Sequence, residues 1–354
     1  MKKFIYRILA FLLPIIFLAY LSDFIISKKI RASGAGDFSV WEDIYNGRIN
    51  SDIVIYGSSR ALNHINPVIL EDEFHTTAYN LGMAGQHIWL QNLRHIEFLK
   101  YNKKPKVVIY SLDDLLFSDP IGIYQPDQFS PYMFWPKHKE IEEQLSVYKF
   151  PHFSYFDYKI PLLRYVDSFY SNKALELGRI KFLSFIQNIS QQKFENSDSL
   201  NEEISRIINN ENIIKPEKRI KGYLPRDLNW NSDFDNALFS KGHLEVSINK
   251  KGIHLFEKIL TELIQKNIYV LFVYTPEYIE GQKFIKNRAE VMEIYTNISK
   301  KYNIPFFSYS NDTMSYQKKY FFNSLHLNAN GAEKFSKKFA LDIKPILYRI
   351  IDNF

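Results

Sequence analysis

Hydrophobic residues follow three patterns along this chain. From Phe4 to Ile26 the side chains are apolar, interrupted only by Tyr6, Arg7, Tyr20, Ser22 and Asp23. As a helix rising about 1.5 Å per residue, this run reaches roughly 35 Å, enough to cross a hydrocarbon core of about 30 Å. Pro14 would kink such a helix without forbidding it. Arg7 and Asp23 lie near its ends, where they can snorkel toward headgroups. The second pattern is a set of short, continuous β-branched and aromatic runs: Asp52–Tyr56, Thr77–Leu81, Lys106–Leu112, Tyr269–Tyr274 and Pro305–Tyr309. Strands that are apolar without alternation belong to a parallel sheet covered on both faces. The third pattern is helical, at Ile88–Lys100, Gly252–Gln265, Ile285–Lys301 and Ala332–Ile351. Strands alternating with helices predict an α/β fold, a three-layer, doubly wound, parallel five-stranded sheet.

Residues from about 118 to 250 break the alternation. They hold amphipathic stretches (Ala174–Gln191, Leu200–Asn209) among polar loops. This predicts a largely helical insertion above the sheet's carboxyl edge, where open α/β sheets bind ligands. The expected organisation is a membrane anchor over 1–31 and an α/β domain over 32–354 that carries the insertion. Ser33–Gly36 reads as a short flexible linker between them.

Charge supports the anchor. The chain nets +6, but Lys2, Lys3, Arg7, Lys28, Lys29 and Arg31 against Asp23 give the first 31 residues +5 and leave the rest +1. Basicity confined to the flanks of an apolar segment suits a membrane surface, not a nucleic acid. A cleaved signal peptide needs a small-residue site directly after its apolar core, and here Lys28, Lys29 and Arg31 intervene before Ala32. An uncleaved single-pass anchor is therefore expected, with the domain extracytoplasmic. The basic residues nearly balance on the two sides, so charge alone leaves the orientation open. The absence of cysteine excludes disulfides, thiolate catalysis and Cys-ligated metal. With 29 Phe and 24 Tyr the chain is aromatic-rich, which fits a sugar-binding surface or simple coding bias. His87, His95, His138, His152, His243 and His254 show no metal-ligand spacing, and no phosphate-binding glycine motif is present.

Candidate chemistry gathers at the strand ends. Gly57-Ser58-Ser59-Arg60 follows the first strand, where a sharp turn presents a serine at the sheet edge as a nucleophile. A polar turn is the simpler alternative. Asn323-Ser324-Leu325-His326 precedes the last helix, and His326 is the residue type that serves as a serine's general base. Asn323, three residues earlier, can offer a carbonyl oxygen to the other ring nitrogen. Asn80-Leu81-Gly82-Met83-Ala84-Gly85-Gln86 follows the second strand, with glycines that let backbone N–H groups approach an oxyanion. Arg60 can meet an anionic substrate or a surface carboxylate.

Together these blocks resemble the motif set of the SGNH (GDSL-like) hydrolase superfamily over residues 52–116 and 268–345. Phe322–Ser336 is similar to SGNH-like proteins of bacterial envelope glycan acylation. The resemblance implies an SGNH/flavodoxin-like fold, a nucleophile at Ser59 and a base at His326. It implies an oxyanion hole from the N–H groups of Ser59 and Gly85, with Asp113 where the family has an asparagine donor. The expected activity is that of a serine esterase or O-acyltransferase, working through an acyl-serine without metal or organic cofactor. Expected partners are the lipid bilayer, an envelope glycan or acyl-donor substrate, and a multispanning membrane acyltransferase. Two departures stand out. Asn323 replaces the family's aspartate, so it can orient but not charge-stabilise an imidazolium, unless Asp312 substitutes. Asp113 would repel an oxyanion if ionised. A catalytically weak glycan-binding or assembly protein is the second reading.

Overall fold

The computed structural model describes residues 2–120, 123–124, 128–132, 139–145, 148, 160–165 and 218–351. The chain divides into two compact units.

The smaller unit comprises Met1–Arg31, Gln125–Lys139 and Phe150–Glu217. Helix α1 (Lys2–Arg31) is 30 residues long with a mean hydropathy of 2.3 across its most apolar stretch, long and apolar enough to cross a membrane. Its large apolar side chains from Phe4 to Ile26 are exposed. Asp23 and Ser27, one turn apart, are buried. Asp23 does not reach outward, contrary to expectation. It pairs with Arg164 Nε at 3.1 Å and accepts the Leu162 N–H at 2.7 Å. The Ser27 hydroxyl meets that of Tyr165. Satisfying a buried carboxylate this way avoids the cost of an unpaired charge.

The larger unit comprises Ala32–Tyr124, Glu140–Lys149 and Lys218–Phe354. The insertion expected at 118–250 is thus not one body. Residues 218–250 belong to the α/β unit, because Asn80 N–H donates to Lys221 O and Leu224 N–H to Leu62 O, and because Tyr223 sits in the core. The helices expected at Ala174–Gln191 and Leu200–Asn209 lie outside the described residues. After α2 (Gly36–Tyr45) the sheet begins with β1 (Ile53–Gly57), followed by short helices α3 (Ser59–His64) and α4 (Pro67–Phe74). Then come β2 (Ala78–Asn80), α5 (Ile88–Tyr101), β3 (Val107–Leu112) and α6 (Lys139–Leu145). Helices α7 (Asp233–Lys241) and α8 (Lys250–Gln265) lead to β4 (Tyr269–Tyr274). Helices α9 (Ile279–Phe284) and α10 (Arg288–Tyr302), β5 (Phe306–Ser308) and α11 (Ala329–Ile351) complete it.

All five strands are parallel, in the order β2-β1-β3-β4-β5. Residues of β1 to β4 alternate between two covered faces, which is why the sequence shows unbroken apolar runs there, while the edge strand β5 is only partly covered. Tyr56 and Tyr110 face Phe98 of α5 and Phe256 of α8. Ile53, Ile55, Val107, Ile109 and Leu271 share a cluster with Phe335, Phe339, Ile343 and Leu347 of α11. From β1 the sheet extends one way to β2 and the other way to β3. That reversal opens a crevice beyond the carboxyl ends of β1 and β3, the usual ligand position in this topology.

Candidate active site

Gly57 closes β1 with φ +140°, and a Cβ there would lie 2.5 Å from Ser111 O and 2.9 Å from Ala61 Cβ. Only glycine fits the turn, which places Ser59 as the first residue of α3 at the crevice. Asn80, fully buried, ties the next loop to that helix. Its amide nitrogen donates to Ala61 O and Ile65 O, and its oxygen accepts Gly82 N–H at 2.9 Å.

Across the crevice, the segment after the two 3₁₀ turns at Thr313–Tyr316 and Lys318–Tyr320 folds back on itself. Phe321 bridges Leu327, and the Phe322 ring stacks on His326 at 5.3 Å. His326 Nε2 lies 2.7 Å from Ser59 Oγ, and its Nδ1 lies 2.9 Å from Asn323 Oδ1. That same oxygen accepts the backbone N–H of Leu325 at 3.1 Å and of His326 at 3.0 Å. Two backbone N–H donors on that atom identify it as the amide oxygen, which can only accept, so Nδ1 carries the imidazole proton and Nε2 offers a lone pair to the serine hydroxyl. Burial, with Arg60 and Arg226 beside it, pushes the His326 pKa down to about 4. The ring is therefore a neutral acceptor at physiological pH.

Beneath the pair lies a buried charged cluster. Arg60 pairs with Glu277 at 3.0 Å, its Nε donates to Thr275 Oγ1 at 3.1 Å, and its guanidinium covers the Tyr274 ring at 4.1 Å. Arg60 is thus a buried, paired residue and not a surface one. The Tyr274 hydroxyl is 2.6 Å from both Asp114 and Glu277. Burial and the charge of Glu277 raise Asp114 well above its ordinary pKa. Burial also acts to raise Glu277, but Arg60 and Arg288 outweigh it and lower its pKa. Of the two, Glu277 therefore keeps its proton less tightly. Of this cluster, Arg60 adds to the burial that keeps His326 unprotonated, and Glu277 opposes it. His64, fully buried, accepts the Leu327 N–H on Nε2 at 3.0 Å and donates from Nδ1 to Thr275 at 2.6 Å. It therefore fastens the histidine loop to the end of β4 and to the serine helix at once.

Ser59 and Gly85 both line a cavity of about 560 Å³, and among the described residues no hydrogen bond takes either N–H. Gly85 sits at φ +65° with a would-be Cβ 2.6 Å from the Tyr124 ring. One wall is apolar (Phe234, Ala237, Leu244, Phe284, Ile285); Gln86, His87 and Arg226 contribute polar groups. Asp113 lines the cavity but brings no N–H donor. Its Oδ1 accepts Leu115 N–H at 2.9 Å, and burial raises its pKa against the pull of Ser58 and Arg60. Asp312 does not substitute for the missing aspartate, because it caps Met314 N–H and pairs with Lys338. The carboxylate nearest Asn323 is instead Asp233, 3.3 Å from its amide nitrogen. Among the described residues no group of three or more His, Asp or Glu side chains could hold a metal ion.

No signal in the sequence marked Asp233. Thr275 and Glu277 do follow directly on β4, and that position beyond a parallel strand's carboxyl end was a usable one.

No protein-family model matches the sequence. No curated protein matches it. Among solved structures, an acetyl xylan esterase is similar at 11% identity, covering 82% of this chain and 98% of that one, with a TM-score of 0.38. A Bacteroides fragilis protein assigned as an acylhydrolase is similar at 9% identity, covering 83% and 87% of the two chains, with a TM-score of 0.35. TM-scores this low carry no argument, and the functional reading rests on the chain's own geometry.

Proposed function

We propose that this chain is a membrane-anchored serine esterase or O-acyltransferase of the SGNH type, acting on acyl esters of a cell-envelope polysaccharide. The observation that carries the reading is the Ser59–His326–Asn323 line, at 2.7 Å and 2.9 Å. In this reading the Ser59 proton passes to Nε2 as Oγ attacks the ester carbonyl. The resulting oxyanion lies against the N–H groups of Ser59 and Gly85. The imidazolium returns its proton to the departing alkoxide, leaving acyl-Ser59. An incoming hydroxyl or water then gives its proton to Nε2 and takes the acyl group, and Nε2 passes that proton to the departing Ser59 Oγ. The apolar wall of the cavity suits the acyl chain, and α1 supplies the tether, with the domain on the extracytoplasmic side. A multispanning acyltransferase would be the natural source of acyl groups.

Labelling the full chain in detergent with a fluorophosphonate tests this. Wild type should label and Ser59→Ala should not; equal labelling of the two, or none, removes Ser59 as nucleophile. One observation favours the second reading, a binding or assembly protein of low turnover: His326 is a weak base that, among the described residues, has an amide and not a carboxylate on Nδ1. That reading gains if a Ser59→Ala strain keeps normal envelope acylation while a deletion strain loses it.

A further inference from the structure

We infer that Asp233 is a positioning residue of this site, a carboxylate from a remote segment that acts on His326 through the Asn323 amide. The inference rests on the proposed role of Ser59 and His326. Asn323 Oδ1 is fully committed to the three N–H groups of its own loop. Its Nδ2 points to Asp233 Oδ2 at 3.3 Å, across a sequence separation of 90 residues. A carboxylate only accepts hydrogen bonds and an amide nitrogen only donates, so this contact fixes which end of Asn323 faces the imidazole. Asp233 is itself held. Asn231 Nδ2 donates to the same Asp233 oxygen at 2.8 Å, Asp233 N–H donates to Asn231 Oδ1 at 3.1 Å, and Asn231 N–H donates to Phe322 O at 2.8 Å. The last bond fastens the Asp233 segment to the histidine loop.

An acidic residue in the first turn of α7 would also serve that helix's dipole alone. A residue serving only the helix would have no reason to turn its oxygen onto Asn323, and would not alter His326. Asp233 opposes the depression of the imidazole's pKa that burial, Arg60 and Arg226 impose. A carboxylate that polarises the amide makes Oδ1 a better acceptor when the imidazolium forms, because hydrogen bonds involving ions are the stronger ones. The arrangement thus returns, one residue further out, part of the negative charge that an aspartate at 323 would have supplied directly.

The test uses the full chain in detergent, with p-nitrophenyl acetate hydrolysis and NMR titration of the isotope-labelled imidazoles. Asp233→Asn keeps the side chain's shape at an exposed position. It should lower kcat about tenfold at unchanged KM, the worth of one charge-assisted hydrogen bond, and should shift the His326 titration to lower pH. Asp233→Glu should recover part of both. In an Asn323→Asp background, where a carboxylate already meets the imidazole, Asp233→Asn should not lower kcat at all. Wild-type kcat and titration in Asp233→Asn would overturn the inference, as would an equal loss in both backgrounds. If wild type and Ser59→Ala hydrolyse the ester equally, the catalytic reading fails instead, and the His326 titration still decides whether Asp233 acts on the imidazole.

Discussion

Replacing Asn323 by aspartate would change His326 from a base steadied by a dipole into one steadied by a charge. At present burial, Arg60 and Arg226 hold its pKa down to about 4, and Nδ1 faces an amide oxygen 2.9 Å away. A carboxylate in that place sets a unit negative charge about 4 Å from the centre of the imidazolium, worth about 4 kcal/mol at an effective dielectric near 20. At about 1.4 kcal/mol per pH unit this is roughly three units. The acid limb of the kcat/KM profile should move from near pH 4 to about pH 7. Turnover above that limb should rise as the imidazolium formed during attack gains a counter-ion; in serine proteases the reverse exchange lowers turnover about 10⁴-fold. Asp233, 3.3 Å from the present amide nitrogen, would repel the new carboxylate and trim the shift. The double change Asn323→Asp with Asp233→Asn should therefore show the larger displacement. The assay is the pH dependence of p-nitrophenyl ester hydrolysis between pH 3 and 9. A limb that stays within half a unit of its starting place would refute the assignment of Asn323 as the group that orients the working base.

Two further outcomes follow from the buried cluster and its histidines. The double change Glu277→Leu with Asp114→Asn leaves Arg60 and Arg288 without either carboxylate of the cluster, and breaking a buried pair from one side costs about 3–5 kcal/mol; urea unfolding monitored by fluorescence should show a loss of that order, and a loss below about 1 kcal/mol would mean water reaches the cluster. His64 and His326 both have folded pKa values below the ordinary 6.5, so the unfolded chain binds more protons just below that value. Their contribution should be complete above about pH 6.5 and should fall away as the pH drops toward 4. Chemical denaturation of wild type and His326→Gln across that window would show it as a difference between the two profiles, since the raised carboxyls of Glu97, Asp113 and Asp114 act with the opposite sign in both; parallel profiles between pH 7 and 4 would contradict it.

How far the sequence carries depends on whether a feature is written locally. The sheet was legible because a strand buried on both faces must be apolar throughout, and the runs at 52–56, 77–81, 106–112, 269–274 and 305–309 overlap the five strands within a residue or two at their ends. Ser59, His326 and Asn323 were legible because each sits in a short segment at a strand end or before a helix. The short helices α3 and α4 were not, since six and eight residues give too little periodicity. Charge misled most. Arg60 and Asp23 are residue types that belong at a surface, and only their partners, Glu277 and Arg164, make their burial tolerable. Those partners come from distant segments, as Asp233 does. Asp312 shows the converse: its nearness to β5 suggested a catalytic place, but a local N–H and Lys338 take up its carboxylate.

The polar spots on α1 give that helix a rotational register of its own. Asp23 and Ser27 mark one stripe of an otherwise lipid-suited cylinder, and that stripe is committed to Arg164 and Tyr165. A helix so keyed cannot spin freely about its long axis or slide by a turn without stranding a carboxylate in an apolar setting. Exchanging it for a generic apolar segment of equal length would keep its length and hydropathy while erasing that rotational lock. What looks from composition like a greasy leash is, by its side chains, a fitted part of the smaller unit.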